Sequence, residues 1–353
     1  EIIQKKSMLR RLIEAAERIH DLGYGDDGEL DEILDQAEKK VYEVTNSGTV
    51  HKFIDIKDTL TDAWERIDAL HKAGTGLRGV STGFKDLDNM LSGFQPSDLI
   101  ILAARPSMGK TALALDIARQ AAVQDNTAVG IFSLEMSSGQ LVDRMLSAEA
   151  RVNSWKLRTG KLSRDEDFGN LRNALDKLAT APIYIDDQPA NNILKMRSVA
   201  RRLKSEKGLG LIVVDYLQLM SPTQSKNNNN VVQQITEISR SLKQLARELK
   251  VPVLALSQLS RDVEKRGGSG RPKLSDLRDS GSIEQDADVV MFIHREDKYR
   301  ETADGKNIAQ IHVDKHRNGP VGSIELFFDE ERTTFLNLDK SNIADFMKED
   351  GVF

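Results

Sequence analysis

The sequence predicts an α/β fold built on a mostly parallel sheet covered by helices on both faces. Apolar, often β-branched runs recur at 99–104, 128–134, 182–186, 211–216, 251–257, 288–293, 308–313 and 324–328. Helical patterns at 110–123, 138–150, 165–179, 191–207 and 231–249 separate the earlier runs. That alternation calls for parallel strands joined by crossover helices. The last three runs follow one another without long helices, so antiparallel strands are expected at one edge.

Ahead of the α/β region the pattern is helical throughout. Residues 1–22 carry Ile3, Leu9, Leu12, Ile13, Ala16 and Ile19 at helical spacing, and Gly23-Tyr24-Gly25 breaks the run. Residues 29–44 resume it with Leu30, Ile33, Leu34, Ala37, Val41 and Val44. Two helices cannot bury both their faces alone, so 1–49 reads as the end of a helical N-terminal domain whose remainder lies upstream. Glu1 is followed by no signal-peptide pattern, and the chain is expected to start mid-protein. A third amphipathic helix, 54–73, has the stripe Ile56, Leu60, Ala63, Trp64, Ile67 and Leu70 and is followed by Gly74, Gly76 and Gly79. Its apolar face either folds back on its own domain or docks on a neighbouring subunit.

Composition narrows the function classes. With 353 residues, 39% hydrophobic and 30% charged, the chain can build one large core and a smaller piece. No run of about 18 apolar residues exists, so no membrane partner is expected. The chain has no Cys, which excludes disulfides and thiolate metal sites and fits a cytoplasmic location. A net charge of −5 argues against wholesale coating of nucleic acid but leaves room for a local basic groove. Only 5% of residues are aromatic, so rows of stacked bases are not expected. Lys226 to Asn230 is a polar loop. The tail 341–353 is left as a frayed end.

The chemistry centres on 99–120, LIILAARPSMGKTALALDIARQ. A strand ends at Ala104, a short loop follows through Gly109, and Lys110-Thr111 opens a helix. Backbone N–H groups of such a loop converge on an anion, and the helix N-terminus adds partial positive charge. Lys110 is placed to reach the β- and γ-phosphates, and the Thr111 hydroxyl to ligate Mg²⁺. The usual pattern starts with Gly where this chain has Ala104, which serves if its φ stays negative. Asp215 ends the strand LIVVD and is a candidate for holding the metal through its water shell; the alternative is a turn residue. Glu135 ends a second apolar strand, with two readings open: the carboxylate that polarises the attacking water, or a cap for the next helix.

Two further segments carry charge or amide groups at strand ends. Gln258 ends LALSQ and is suited to hydrogen-bond a γ-phosphate and report its loss to the loop that follows. That loop, 259–279, holds Gly267, Gly268 and Gly270 and the cations Arg261, Lys265, Arg266, Arg271, Lys273 and Arg278. It fits the phosphates of a nucleic acid strand or is a solvated basic loop. In Val313-Asp314-Lys315-His316-Arg317, Lys315 and Arg317 point the same way and His316 the other. An Arg at such a strand end is suited to act as a finger on a phosphoryl group; the alternative is a surface pair beside a Gly-Pro turn.

Taken together, ARPSMGKT (104–111), FSLEMS (132–137), RTGKL (158–162), LIVVDYLQL (211–219), LSQLSR (256–261), SDLRDSGSIEQDADVV (275–290) and KHRNGPVG (315–322) resemble the bacterial replicative DNA helicases, the DnaB family within the RecA-like hexameric ring ATPases. The resemblance covers about 50 to 340. It implies a RecA-like P-loop NTPase domain at 80–340, a subunit-docking linker at 50–79 and ATP-driven unwinding at the replication fork, 5′ to 3′ on the encircled strand. Ser107, Met108, Gly109, Lys110, Thr111 and Ala112 would hold ATP, with Thr111 and Asp215 serving Mg²⁺. Glu135 would be the catalytic carboxylate, Gln258 the γ-phosphate sensor, and Lys315 and Arg317 the groups that reach ATP on the adjacent subunit. Arg278, Asp279 and Gly281 would grip single-stranded DNA. Implied partners are single-stranded and forked DNA, five further copies in a homo-hexamer, primase and a loader, at the bacterial nucleoid. The alternatives are a RecA-like recombinase and an ATP-gated DNA-bound platform that does not unwind.

Overall fold

The computed structural model describes residues 2–25, 30–46, 55–73, 77–163, 166–188, 192–220, 231–260, 270–280, 283–298 and 307–338. The chain divides into two compact units: Glu1–Thr75 with Leu194–Arg202, and Gly76–Ile193 with Leu203–Phe353. In the first, α1 (Ile2–Tyr24) and α2 (Leu30–Asn46) pack on one another, and α3 spans Ile56–Ala73. The apolar stripe of α3 is open: Ile56, Leu60, Trp64 and Ile67 are all exposed, Trp64 at 72%.

The second unit is a nine-stranded sheet in the order β3-β2-β4-β5-β1-β6-β7-β8-β9. The strands are β1 (Leu99–Ala104), β2 (Val129–Ser133), β3 (Ile183–Asp186), β4 (Leu211–Asp215), β5 (Val253–Gln258), β6 (Val289–His294), β7 (Ile308–His316), β8 (Gly322–Asp329) and β9 (Thr334–Asn337). The first six in spatial order pair in parallel. Of the three runs expected to be antiparallel, β7 and β8 are antiparallel neighbours. The first, β6, is the switch strand, parallel to β1 on one side and antiparallel to β7 on the other. Its central position explains its unbroken burial, which an edge strand would not need. The short β9 went unread in the sequence because Thr334–Asn337 is too brief to show a period.

Helices cover the sheet. Between β1 and β2 lies α5 (Lys110–Asp125), buried on nearly every side, which accounts for its lack of an amphipathic stripe. By contrast, α10 (Val231–Leu249) buries Ile235, Ile238, Leu242, Leu245 and Leu249, one face of a 3.6-residue period. Helices α4 (Lys85–Leu91), α6 (Ser138–Ala150), α7 (Ser154–Thr159) and α8 (Glu166–Thr180), with a single turn at Ile283–Asp286, belong to the same unit, whereas most of α9 (Ile193–Lys207) is grouped with the first. One buried carboxylate fastens α5 to the sheet edge. Asp116 accepts hydrogen bonds from the Thr334 hydroxyl at 2.8 Å and the Phe335 N–H at 2.7 Å, and faces Arg119 at 3.2 Å.

Burial pushes Asp116 up to about 6 from its ordinary 3.8, against the opposing influence of Arg119, the Phe335 N–H and the Thr334 hydroxyl. In that window the folded chain holds the proton more tightly than the unfolded chain. The group's stabilising contribution is therefore full below pH 3.8 and lost as pH rises through about 6. Asp116→Asn is expected to make the fall of unfolding free energy with pH shallower across that window, by up to about 1.4 kcal/mol per pH unit. Urea unfolding of both proteins at several pH values checks it.

Candidate active site

The parallel strands end together, so the polar residues just past their apolar runs share one crevice. Ala104 pairs with Gln258, and Ser133 with Asp215. At this edge lies a cavity of about 350 Å³ lined by Ser107, Gly109, Lys110, Thr111, Ala112, Glu135 and Gln258, among others. Residues singled out from separate motifs of the sequence thus meet at one place. Ala104 is the last residue of β1 and does not take positive φ; the loop instead turns at Ser107 (φ 66°) and Gly109 (φ 97°). Gly109 caps α5, so the helix begins at Lys110 and its free N–H groups point into the crevice. Met108 turns its side chain into the core, leaving only its backbone for a ligand.

Gly is required at 109 for two reasons. Its φ is one that L side chains rarely adopt, and an added Cβ would lie 2.8 Å from Phe335 Cζ and 3.2 Å from Phe328 Cε2. The two rings, 4.7 Å apart between centroids, form the floor on which the loop rests.

Asp215 is buried beside the loop. Its Oδ2 accepts a 2.8 Å hydrogen bond from the Thr111 hydroxyl, and Lys110 Nζ stands 3.9 Å from Oδ1. Lys110 also lies over the Tyr216 ring at 4.1 Å. Burial raises the Asp215 pKa, opposed by Lys110 and the Thr111 hydroxyl; burial lowers that of Lys110, opposed by Asp215 and Glu135. Asp215 Oδ1 is buried and accepts no hydrogen bond. An orphaned carboxylate oxygen beside a loop threonine suits Mg²⁺, which binds through few protein oxygens and keeps waters and phosphates as its other ligands. Glu135 stands clear of the helix that follows. The cap is Ser137, whose hydroxyl and Gln140 form a capping box, so the cap reading of Glu135 gives way.

Lys315 and Arg317 are not in this crevice. Because β7 runs antiparallel to β6, its C-terminal end lies beside the start of β6, at the opposite edge of the sheet. The Arg317 N–H donates to the Asp288 carbonyl, its guanidinium sits 3.2 Å from Asp288 Oδ1, and Asp288 Oδ2 in turn accepts from Leu99 N–H at the start of β1. Lys315 and Arg317 both reach the Gln285 carbonyl, at 3.4 and 3.3 Å, so they do point the same way. His316 turns away onto the Pro320 carbonyl. Burial and the neighbouring Arg317 lower the Lys315 pKa, opposed by Asp288, Glu284 and Asp286.

Arg278 and Asp279 fall in a 3₁₀ segment, Leu274–Ser280, where their backbone alone is described, and Gly281 lies outside the described residues, as do 261–269. Arg271, farther up that loop, pairs with Asp314 at 3.5 Å. Sequence reasoning missed Arg105, Met136, Arg144, Phe328 and Thr333, which also line the cavity. Arg105 and Met136 sit inside motifs read from the sequence but at positions no spacing rule singles out, and Arg144, Phe328 and Thr333 lie away from the ends of the parallel strands.

A phosphate loop, a metal-competent aspartate and a strand-end carboxylate on this sheet define a P-loop ATPase of the RecA-like fold. A family profile described as "DnaB-like helicase C terminal domain" matches residues 79–337. The replicative DNA helicase DnaB of Geobacillus stearothermophilus is 51% identical over 339 residues, 96% of this chain and 74% of the relative. The replicative DNA helicase DnaC of Bacillus subtilis (strain 168) is 48% identical over the same shares, 96% and 74%. Among solved structures, one described as an ATPase domain aligns with TM-score 0.76 and 37% identity, over 82% of this chain and 100% of that one. A DnaB-like replicative helicase, described with its interactions with primase, aligns with TM-score 0.81 and 34% identity over 96% of this chain and 78% of that one. The chain belongs to the DnaB-like helicase family, the ATP-dependent DNA helicases of replication.

Gly109→Ala is expected to weaken nucleotide binding at least about tenfold, through strain in the loop that offers its N–H groups. Adding Phe335→Leu should recover part of the loss by clearing the Cβ clash while leaving the φ strain. Titration with a fluorescent ATP analogue measures both.

Proposed function

We propose that six copies of this chain form a ring that hydrolyses ATP at sites shared between neighbours and moves 5′ to 3′ along one DNA strand, excluding the other. The observation behind this reading is the separation of Lys110 from Arg317 across the sheet. The six residues of β1 rise about 3.3 Å each, so the two lie on the order of 20 Å apart at opposite edges. An Arg there cannot serve its own phosphate loop, but it can serve the loop of the next copy.

In the proposed site, loop N–H groups from Ser107 to Ala112 and the Lys110 ammonium cradle the triphosphate. Glu135 accepts a proton from the attacking water as its oxygen bonds to the γ-phosphorus and the bond to the β-phosphate oxygen breaks. Lys110 and the neighbour's copies of Lys315 and Arg317 neutralise charge that spreads over the transferring phosphoryl oxygens. Such a finger is worth roughly 10³–10⁵ in rate, about 4–7 kcal/mol. Thr111 and, through water, Asp215 would hold Mg²⁺, which supplies further charge neutralisation at the phosphates when bound. Gln258 senses the γ-phosphate, and Arg278, Asp279 and Gly281 hold DNA phosphates in a sequence-tolerant, salt-sensitive grip.

The same reading divides the chain into the end of a helical N-terminal domain (1–49), a linker (50–79), the ATPase domain (80–340) and a tail (341–353). It gives the exposed stripe of α3 an occupant, the ATPase domain of the adjacent copy. Primase and a loader would be partners of the assembled ring, working on DNA inside the bacterial cell.

Arg317→Ala and Glu135→Ala should each cut DNA-stimulated ATP turnover about 10³-fold or more, and mixing the two should restore part of it. Mixed rings contain interfaces with an intact Glu135 on one side and an intact Arg317 on the other. Normal turnover by Arg317→Ala alone overturns the shared site. For the linker, Trp64→Ala with Ile67→Glu should shift the sedimenting species from a ring to smaller assemblies.

A further inference from the structure

The two walls of the ATP crevice meet at the start of the basic loop, and one amide makes the join. β4 and β5 pair only as far as Val214 with Ala255, whereas β1 accompanies β5 to its last residue, Gln258. Beyond Ala255 the β4 side of β5 is therefore without a strand partner, and backbone groups there need another. Gln218, in the 3₁₀ turn Leu217–Leu219 just past Asp215, supplies it. Its Nε2 donates to Ser257 Oγ at 3.0 Å and to the Gln258 carbonyl at 3.2 Å, and its Oε1 accepts from the Gln258 N–H at 3.3 Å. One side-chain amide thus imitates a neighbouring strand, with a donor and an acceptor matched to the same residue.

On the other side, the next residue is held by the phosphate loop. The Leu259 N–H donates to the Ala104 carbonyl at 3.1 Å, and Arg105 donates to the Leu259 carbonyl at 2.9 Å. Gln258 and Leu259 are gripped by the phosphate-loop strand on one flank and by the turn after the metal-site aspartate on the other. Every cation of the basic loop lies beyond them.

We infer that Gln218 is a positioning residue: it fixes the backbone of Gln258 so that loss of a γ-phosphate contact displaces the basic loop rather than relaxing within the strand. Gln218 does not line the cavity. Its effect is on coupling between ATP and DNA. This rests on the reading of Gln258 as the γ-phosphate sensor.

The test is steady-state ATP turnover of the full chain with and without a single-stranded oligothymidylate, for wild type, Gln218→Met, Ser257→Ala and Gln258→Ala. Gln218→Met keeps the length and loses both arms of the amide; Ser257→Ala removes one contact and leaves Gln218 in place. Gln218→Met should lose about tenfold in DNA-stimulated kcat while its KM for ATP and its DNA-free turnover stay within about twofold. Ser257→Ala should lose about threefold in the same quantity. Undiminished DNA stimulation in both, with stimulation abolished in Gln258→Ala, overturns the role of Gln218 and leaves the sensor intact. Equal losses with and without DNA, with KM raised, mark a merely structural contact and overturn it as well. Stimulation surviving in Gln258→Ala removes the sensor reading, and the inference with it.

Discussion

A strand buried on both faces can present polar chemistry only at its ends, and the rest of this molecule follows from that constraint. β1, β2, β4 and β6 are buried along their whole length. Any charged group within such a run would lose its hydration without gaining partners. Carboxylates, amides and the phosphate loop are consequently confined to the two edges of the sheet. Parallel pairing then gathers the C-terminal ends into one crevice, where Thr111, Asp215, Glu135 and Gln258 meet without sequence proximity.

The opposite edge has its own chemistry because the sheet changes direction once. The switch at β6 brings the end of β7 close to the start of β1, and Asp288 anchors the corner. It accepts from Leu99 N–H, faces Arg317, and pairs with Lys243 of α10. One strand of six residues thus has the phosphate loop at one end and the anchor of the proposed finger at the other. A stiff, fully hydrogen-bonded strand transmits displacement better than a loop of the same length. Had β6 been antiparallel to β1, both charged clusters would have fallen on one edge, and the fold would favour a site completed within a single chain.

Most of this was legible in the sequence because it is carried by features with a period or a fixed spacing. Continuous apolar runs announced the parallel strands, and Lys110-Thr111, Asp215, Glu135 and Gln258 stood where such runs stop. The alternation around His316 put Lys315 and Arg317 on one side, as the structure does. What resisted reading was contact between residues far apart in sequence. Phe328 and Phe335 look like ordinary strand residues, yet they fix why position 109 must be Gly. Gln218 lies inside a quoted motif and showed nothing, since an amide on a one-turn 3₁₀ segment has no periodic signature. The antiparallel expectation is met by β6 against β7 but not against β1, because a connection without a long helix bears on how the two strands it joins pair and is silent about the other neighbour.

The antiparallel extension is more than a sheet edge. Arg295 is fully buried, paired with Asp297 at 2.8 Å and Glu330 at 2.6 Å, and stacks over Phe328 at 4.5 Å. Lys298 and Arg295 donate to Glu330 and hold its carboxyl below the usual range. Burying a guanidinium is costly, and two carboxylates at its Nη2 offset the charge. Its partners here lie just after β6 and just after β8, so the pairing ties those two strand ends together around Phe328. Phe328 touches Phe335, Phe335 N–H is bound by Asp116, and both rings bear on Gly109. The geometry of the phosphate loop is thus set from two sides, by β1 that leads into it and by the late strands that lie under it. A P-loop held by its leading strand alone could relax when Asp215 or Lys110 changes partner. Held also from below, it stays fixed, and in the proposed mechanism the movement that accompanies loss of a phosphate is left to Gln258 rather than to the phosphate loop.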